Sequence, residues 1–178
     1  RRAIDSSYKG GRKPVKLNRF YEDIPNTVEN RNSQVAQLVS LLRKAGVKQV
    51  YVSDCEADDI IAHLTKYTFN DDRCVIVSTD KDFYQLIDDR VCVWSPGSKK
   101  QWDEKSVIDK FGIHPVNFCL ARCFVGDASD GLKGAPGAGF KSLSKRFPAL
   151  SSKSNLTVDD IVTECRNLRE QRKLKLYD

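Results

Sequence analysis

Cys74 to Ser78 reads CVIVS, a run that is apolar without alternation. A strand with one face in water alternates apolar and polar side chains. A strand covered on both faces does not, and such strands belong mostly to parallel sheets layered with helices. Two further runs suit the same scheme: Val47 to Ser53 (VKQVYVS), short and β-branched, and Val91 to Trp94 (VCVW). Helical stripes separate them. From Arg31, the residues Val35, Leu38, Val39 and Leu42 recur at steps of three and four until Gly46 ends the pattern. Ala57, Ile60, Ile61 and Leu64 form a second stripe, and Phe83 to Ile87 a short third one. Strand and helix alternating three times predict an α/β fold, a mostly parallel sheet flanked by helices.

Past Pro96 the period changes. Residues 103–111 and 115–124 are predicted as helices, followed by a glycine-dense loop from Gly126 to Gly139, a helix to Phe147 and a long polar helix from Thr157. The expected organisation is therefore an α/β domain over residues 1–112 and a small all-helical domain over 113–178. Residues 1–30, with Gly10-Gly11, Pro14, Pro25 and many charges, are expected to be irregular.

The net charge of +6 is less informative than its distribution. Residues 1–19 hold seven bases against one acid, whereas residues 54–89 hold ten acids against three bases. A basic chain with an acidic middle suits a polyanion-binding surface around a cation-binding hole. No apolar run approaches the roughly 18 residues that span a bilayer, and the N-terminus has no signal-like stretch. There is no Met, so the true start is expected upstream of Arg1. Six cysteines without a C-x-x-C, and only His63 and His114 beside them, argue for buried free thiols in a reducing compartment rather than disulfides or zinc. His63 is expected to be an ordinary surface histidine.

Three acidic clusters follow the expected strands. Glu56-Ala57-Asp58-Asp59 comes after the first, Asp80-Lys81-Asp82 after the second, and Asp127 and Asp130 lie in the glycine-rich loop. In an open α/β sheet, functional groups collect at the carboxyl ends of the strands. Carboxylates brought together there repel unless cations neutralise them, and hard oxygen ligands suit Mg²⁺ or Mn²⁺. Two such ions about 4 Å apart are a known device for cleaving phosphodiesters. Taken singly, each cluster also fits a structural role, because acids favour helix N-termini and turns.

EADD followed by IIA, then VSTDKDFYQL, then FVGDASDGLKGAPGAGFKSL resemble the successive motifs of the 5′-nuclease superfamily. That group includes flap endonucleases, the 5′-nuclease domain of bacterial DNA polymerase I, and phage exonucleases and ribonuclease H enzymes. The ordered match covers roughly residues 1–147, and WSPGSKKQW resembles the phage-type members. The resemblance implies a PIN-like 5′-nuclease fold whose helical part contains a helix–three-turn–helix. It implies Glu56, Asp58, Asp59, Asp80, Asp82, Asp127 and Asp130 as ligands of two Mg²⁺ or Mn²⁺ ions or of their bound water, with Asp59 and Asp130 acting through water. Tyr8-Lys9-Gly10-Gly11-Arg12 is similar to the Y-K-x-x-R at the base of the family's helical arch. Lys9 and Arg12 would then contact the scissile phosphate, an ammonium and a guanidinium offsetting its charge, and residues 13–32 would form an arch-like segment. Lys133, Gly134, Gly137, Gly139 and Lys141 would bind nucleic acid, and the same turn is similar to ones that hold K⁺ through backbone carbonyls.

The implied activity is metal-dependent hydrolysis near the 5′ ends of branched or duplex nucleic acid, as 5′→3′ exonuclease, flap endonuclease or ribonuclease H, in replication or repair. The partners are DNA with a 5′ flap, nick or gap, an RNA–DNA hybrid and replication proteins. The protein is expected to be a monomer in the cytoplasm, the host's if viral, with no membrane contact. Two departures stand out. The family's two earlier aspartates would fall before Arg1, so an incomplete ligand set is expected, and Gly131 stands where many relatives have Asn. The alternative is a catalytically incomplete nucleic-acid-binding module of the same fold. A third reading, a toxin-like PIN ribonuclease, is disfavoured by the Gly134–Lys141 turn and the arch-base motif.

Overall fold

A computed structural model describes residues 25–128 and 130–170. The chain divides between Cys55 and Glu56 into two compact units. In the first, helix α1 runs over Val28–Lys44. Thr27 caps it by accepting a hydrogen bond from Asn30 N at 3.2 Å, and Glu29 at one end with Arg43 and Lys44 at the other complement the helix dipole. Residues 28–32 of the expected arch-like segment are the first turns of this helix.

Val47 to Ser53 is not a strand, contrary to the sequence expectation. A strand exists only through its ladder, and among the described residues none pairs with this run. Its side chains are exposed, Tyr51 to 88%. β-branching alone does not make a strand.

The second unit begins with α2 (Ala57–His63), which widens into one π-helical turn over Leu64–Thr68. Strands β1 (Cys74–Val77), β2 (Val91–Ser95) and β3 (Lys100–Trp102) form a sheet in that order. β1 and β2 are parallel, with Ile76 opposite Val93, and β2 and β3 antiparallel, with Val93 opposite Trp102. The chain is thus α/β, with one parallel and one antiparallel strand pair in this sheet. The crossover from β1 to β2 is a 3₁₀ helix over Lys81–Leu86, two residues earlier than expected. The hairpin that adds β3 was not expected from WSPGSKKQW.

The CVIVS run is buried on one face only: Ile76 is 5% exposed, but Val75 and Val77 are 61% and 66% exposed. Continuous apolar character therefore overstated its covering. Behind β2, Tyr84, Trp102, Phe111, Phe118 and Phe140 form a ring-to-ring cluster with centroids 5.0–6.0 Å apart. Such contacts add to plain area burial.

Helix α3 (Glu104–Phe111) is capped by Asp103 and ends at Gly112, whose φ of +69° is left-handed. The expected helix over 115–124 is a 3₁₀ turn (Pro115–Asn117) continued by α4 (Phe118–Val125). The expected change of domain near Gly112 falls inside the second unit, where Val107, Ile113 and Phe118 share one buried cluster with Ile76 and Val93. A hairpin of two-residue strands, β4 (Gly126–Asp127) with β5 (Leu132–Lys133), interrupts the glycine-rich loop. Helices α5 (Phe140–Arg146) and α6 (Val158–Glu170) follow. The six thiols are free, as expected, but not buried: Cys55, Cys119 and Cys123 are exposed and the rest half-buried. No helix among the described residues is long and apolar enough to cross a membrane.

Candidate metal and nucleic-acid site

Where β1 ends, the backbone turns through side-chain caps. Ser78 Oγ accepts from Asp80 N at 3.0 Å, and Asp80 Oδ1 accepts from Asp82 N at 3.0 Å, opening the 3₁₀ helix. Buried Phe83, Tyr84 and Leu86 anchor that helix from below. Asp80 therefore sits exposed and Asp82 half-buried at the carboxyl end of a parallel strand. Burial pushes the Asp82 carboxyl above its ordinary value. The Arg122 guanidinium opposes that rise, and the charges of Asp80 and Asp127 add to it.

Arg122 is the charged residue of α4, on its last turn. Its Nε donates to Asp82 Oδ1 at 3.0 Å, its Nη1 to the Gly126 carbonyl at 3.1 Å, and its Nη2 to Asp127 Oδ2. Two expected ligands thus converge on one guanidinium. Asp127 is placed by a close backbone approach: a Cβ on Gly126 would lie 2.3 Å from Gly134 N, and one on Gly134 would lie 2.1 Å from Val125 O. Only glycines allow that crossing. Asp130 N donates to Asp127 O at 3.3 Å, keeping the two acids in one turn. Gly131 takes φ +76°, a left-handed conformation that glycine adopts without steric cost and Asn also tolerates.

The first acidic cluster caps α2. Glu56 precedes the helix, and Asp59 Oδ2 accepts from Glu56 N at 3.4 Å. Asp58 is exposed in the first turn. Here the structural role of helix-terminal acids is met in full, while α2 lies against the 3₁₀ helix that bears Asp82. Among the described residues, no three His, Cys, Asp or Glu side chains are grouped closely enough to hold a metal ion. Asp80, Asp82 and Asp127 share one neighbourhood, with Arg122 placed between Asp82 and Asp127. The donors of these acids are nonetheless all hard oxygen, the ligand type that divalent ions such as Mg²⁺ or Mn²⁺ take.

Beyond the hairpin, exposed Lys133 precedes the Gly134–Gly139 turn. Gly137 (φ +72°) bends that turn, and Gly139 N donates to Ser142 Oγ at 2.7 Å, so this amide is engaged within the protein. Gly137 and Gly139 line an open concavity of about 520 Å³ with Lys110, Phe111, Phe140, Lys141 and Ser142. Two lysines thus flank one hollow. Lys110 and Arg122 were both missed by sequence reasoning. Arg122 had a signal, as the charged residue in FCLARCFV, but Lys110 had none, because its partners lie some thirty residues away. Lys9 and Arg12 lie outside the described residues, as does the arch-like segment up to residue 24. His63 is exposed, its ring 5.1 Å from that of Tyr67.

The family model of the 5′-3′ exonuclease N-terminal, resolvase-like domain matches residues 1–112. A thermostable DNA polymerase I of Thermus thermophilus is 33% identical over 176 residues, which is 97% of this chain and 19% of the polymerase. A 5′-3′ exonuclease of Buchnera aphidicola is 34% identical over 118 residues, 64% of this chain and 41% of that protein. The chain thus spans less than half the length of either relative. A bacteriophage T5 flap endonuclease, solved with DNA and metal ions, shares the fold at a TM-score of 0.64, with 20% identity over 97% of this chain and 65% of that one.

Proposed function

The chain belongs to the 5′-3′ exonuclease N-terminal, resolvase-like domain family, and from that membership we propose that it is a divalent-metal-dependent 5′ nuclease hydrolysing phosphodiesters near the 5′ ends of branched or duplex DNA. The observation that carries this reading is the meeting of Asp80 and Asp82 with Asp127 near the end of β1, from two stretches some forty-five residues apart in a chain whose flanks are basic.

Asp80, Asp82 and Asp127 would hold the ion nearest the β1 end, Glu56 and Asp58 would complete the ligand set, and Asp59 and Asp130 would hold bound water. When bound, the ions supply Lewis acidity toward the phosphate. The protein's own part is to bind and orient. Lys9 and Arg12 grip the scissile phosphate by charge and fork geometry. Lys133, Lys141 and Lys110 hold the duplex backbone beside the turn, where glycines admit a close phosphate. Backbone carbonyls of the same turn would hold K⁺. Residues 113–178 act as the helical, DNA-binding part of a PIN-like 5′-nuclease fold, with the helix–three-turn–helix inside it. An RNA–DNA hybrid is a second substrate, replication proteins are partners, and the protein works as a cytoplasmic monomer.

The test is cleavage of a 5′-flap duplex with Mg²⁺, repeated with EDTA and with Asp80→Ala. The activity should require the metal and Asp80. A second reading, a nucleic-acid-binding module with an incomplete acidic site, is favoured by the open spacing of the acids among the described residues. Flap binding without cleavage under any metal would decide for it.

A further inference from the structure

Arg122 has an unusual position for a residue within a cation site. Its guanidinium spends three donors on three acceptors: one oxygen of Asp82, one of Asp127 and the Gly126 carbonyl. The two carboxylates come from different elements, the 3₁₀ helix after β1 and the β4 hairpin. The carbonyl belongs to the C-cap of Arg122's own helix, so the guanidinium remains anchored if either carboxylate leaves. Side-chain exposure is 22% for Arg122, 20% for Asp127 and 46% for Asp82, so solvent and salt screen the Asp127 pair less than the Asp82 pair.

We propose that Arg122 is an internal counter-cation, a positioning residue that holds Asp82 and Asp127 in place without a divalent ion and competes with that ion for their oxygens. The inference rests on the metal-dependent reading above. It follows that Arg122 both stabilises the metal-free fold and lowers metal affinity. An incoming ion takes over oxygens already committed to N–H donors, and it enters a site one negative charge poorer than its acids alone would make it. A guanidinium serves here where an ammonium would not, because one planar fork reaches two carboxylates and a carbonyl together.

The test uses the purified chain and Mn²⁺, with bound ion followed by loss of the free Mn²⁺ paramagnetic resonance signal, and thermal melting in EDTA. Arg122→Met keeps side-chain length and removes charge and donors. It should bind Mn²⁺ about tenfold more tightly, the low end of what removing an adjacent like charge is worth at this exposure. In EDTA it should melt roughly 2–4 °C lower, a deficit that saturating Mn²⁺ removes. Arg122→Lys, which keeps the charge, should stay nearer the parent in Mn²⁺ affinity while losing part of the metal-free stability. Asp127→Asn should cost less metal-free stability in the Arg122→Met background than in the parent, since the pair acts as a unit. Unchanged or weaker Mn²⁺ binding by Arg122→Met, or strict additivity with Asp127→Asn, overturns the proposal while leaving the nuclease reading intact. A parent chain that binds no Mn²⁺ sinks the metal-dependent reading itself and the competition with it.

Discussion

Asn117 offers a sharp test of what holds the helical half together. Its side chain is fully buried. Its Nδ2 faces the carbonyls of Leu150, Ser152 and Ser154 at 3.2, 3.1 and 3.0 Å, two hydrogens shared among three acceptors. Its Oδ1 accepts from Leu156 N at 2.9 Å. One amide thus fastens a seven-residue return, 150–156, to the start of α4. In Asn117→Ala the Leu150 carbonyl keeps its bond from His114 N, and the exposed Ser154 can turn to water. The half-buried Leu156 N–H is left without its acceptor. Two or three lost bonds at about 1 kcal/mol each, plus about 1–2 kcal/mol for the stranded donor, come to about 3–5 kcal/mol. At roughly 2–4 °C per kcal/mol for a chain of this size, the melting temperature should fall by about 10 °C. Asn117→Asp should be worse than alanine. It still accepts from Leu156 N, but it turns a carboxylate oxygen towards three carbonyls in a buried place. Thermal unfolding by circular dichroism measures both. An alanine variant melting within about 2 °C of the parent, or an aspartate variant more stable than alanine, would refute the account.

Asp80→Ala should lower flap cleavage by about a hundredfold or more while leaving duplex affinity nearly unchanged, because it removes a proposed ligand and no basic contact; a filter-binding assay beside the cleavage assay separates the two. Lys110→Ala and Lys141→Ala should each reduce the slope of log affinity against log salt by about 0.9, one phosphate contact apiece, and an unchanged slope would remove that lysine from the interface. Asp103 caps α3, and hydrogen bonding from Ser106, first its backbone N–H and then its side chain, holds the carboxyl below the usual range. A depressed folded-state value means stability that is present above the unfolded value of about 4 and lost as pH falls through the folded one. Asp103→Ala should therefore cost about 1 kcal/mol at neutral pH and progressively less below about pH 4, as denaturant melts at the two pH values would record.

Elements whose cause is local were legible in the sequence. The stripe from Val35 to Leu42, the acids at the start of α2 and the parallel pairing of Cys74–Val77 with Val91–Trp94 each depend on neighbours a few residues away or on plain apolar character. What failed to show depends on partners distant in sequence. Val47–Ser53 has strand-forming residues but no described ladder partner. The extent of burial of Val75 and Val77 is a property of what lies over the sheet. Asn117 looks like any helix-start asparagine until its four partners, over thirty residues away, are in place. The same holds for the candidate site. Its acids stand out in sequence as dense clusters, whereas Arg122 becomes meaningful only once α4 brings it between Asp82 and Asp127.

The acids also show why a structural and a chemical role need not compete. Asp80 fastens Asp82 N, Asp59 fastens Glu56 N, and Asp127 is fastened by Arg122. Each bond occupies part of a carboxylate's accepting capacity, for an ionised carboxylate has about four lone-pair sites. A cap therefore restricts the rotamer without exhausting the group. A carboxylate already confined by a backbone N–H loses less freedom on meeting a cation than one that turns freely on the surface, so less of the binding energy goes into ordering it. On this view the turn chemistry that ends β1 and begins α2 orients these oxygens, and the folding of the local backbone and the preparation of the site are one process.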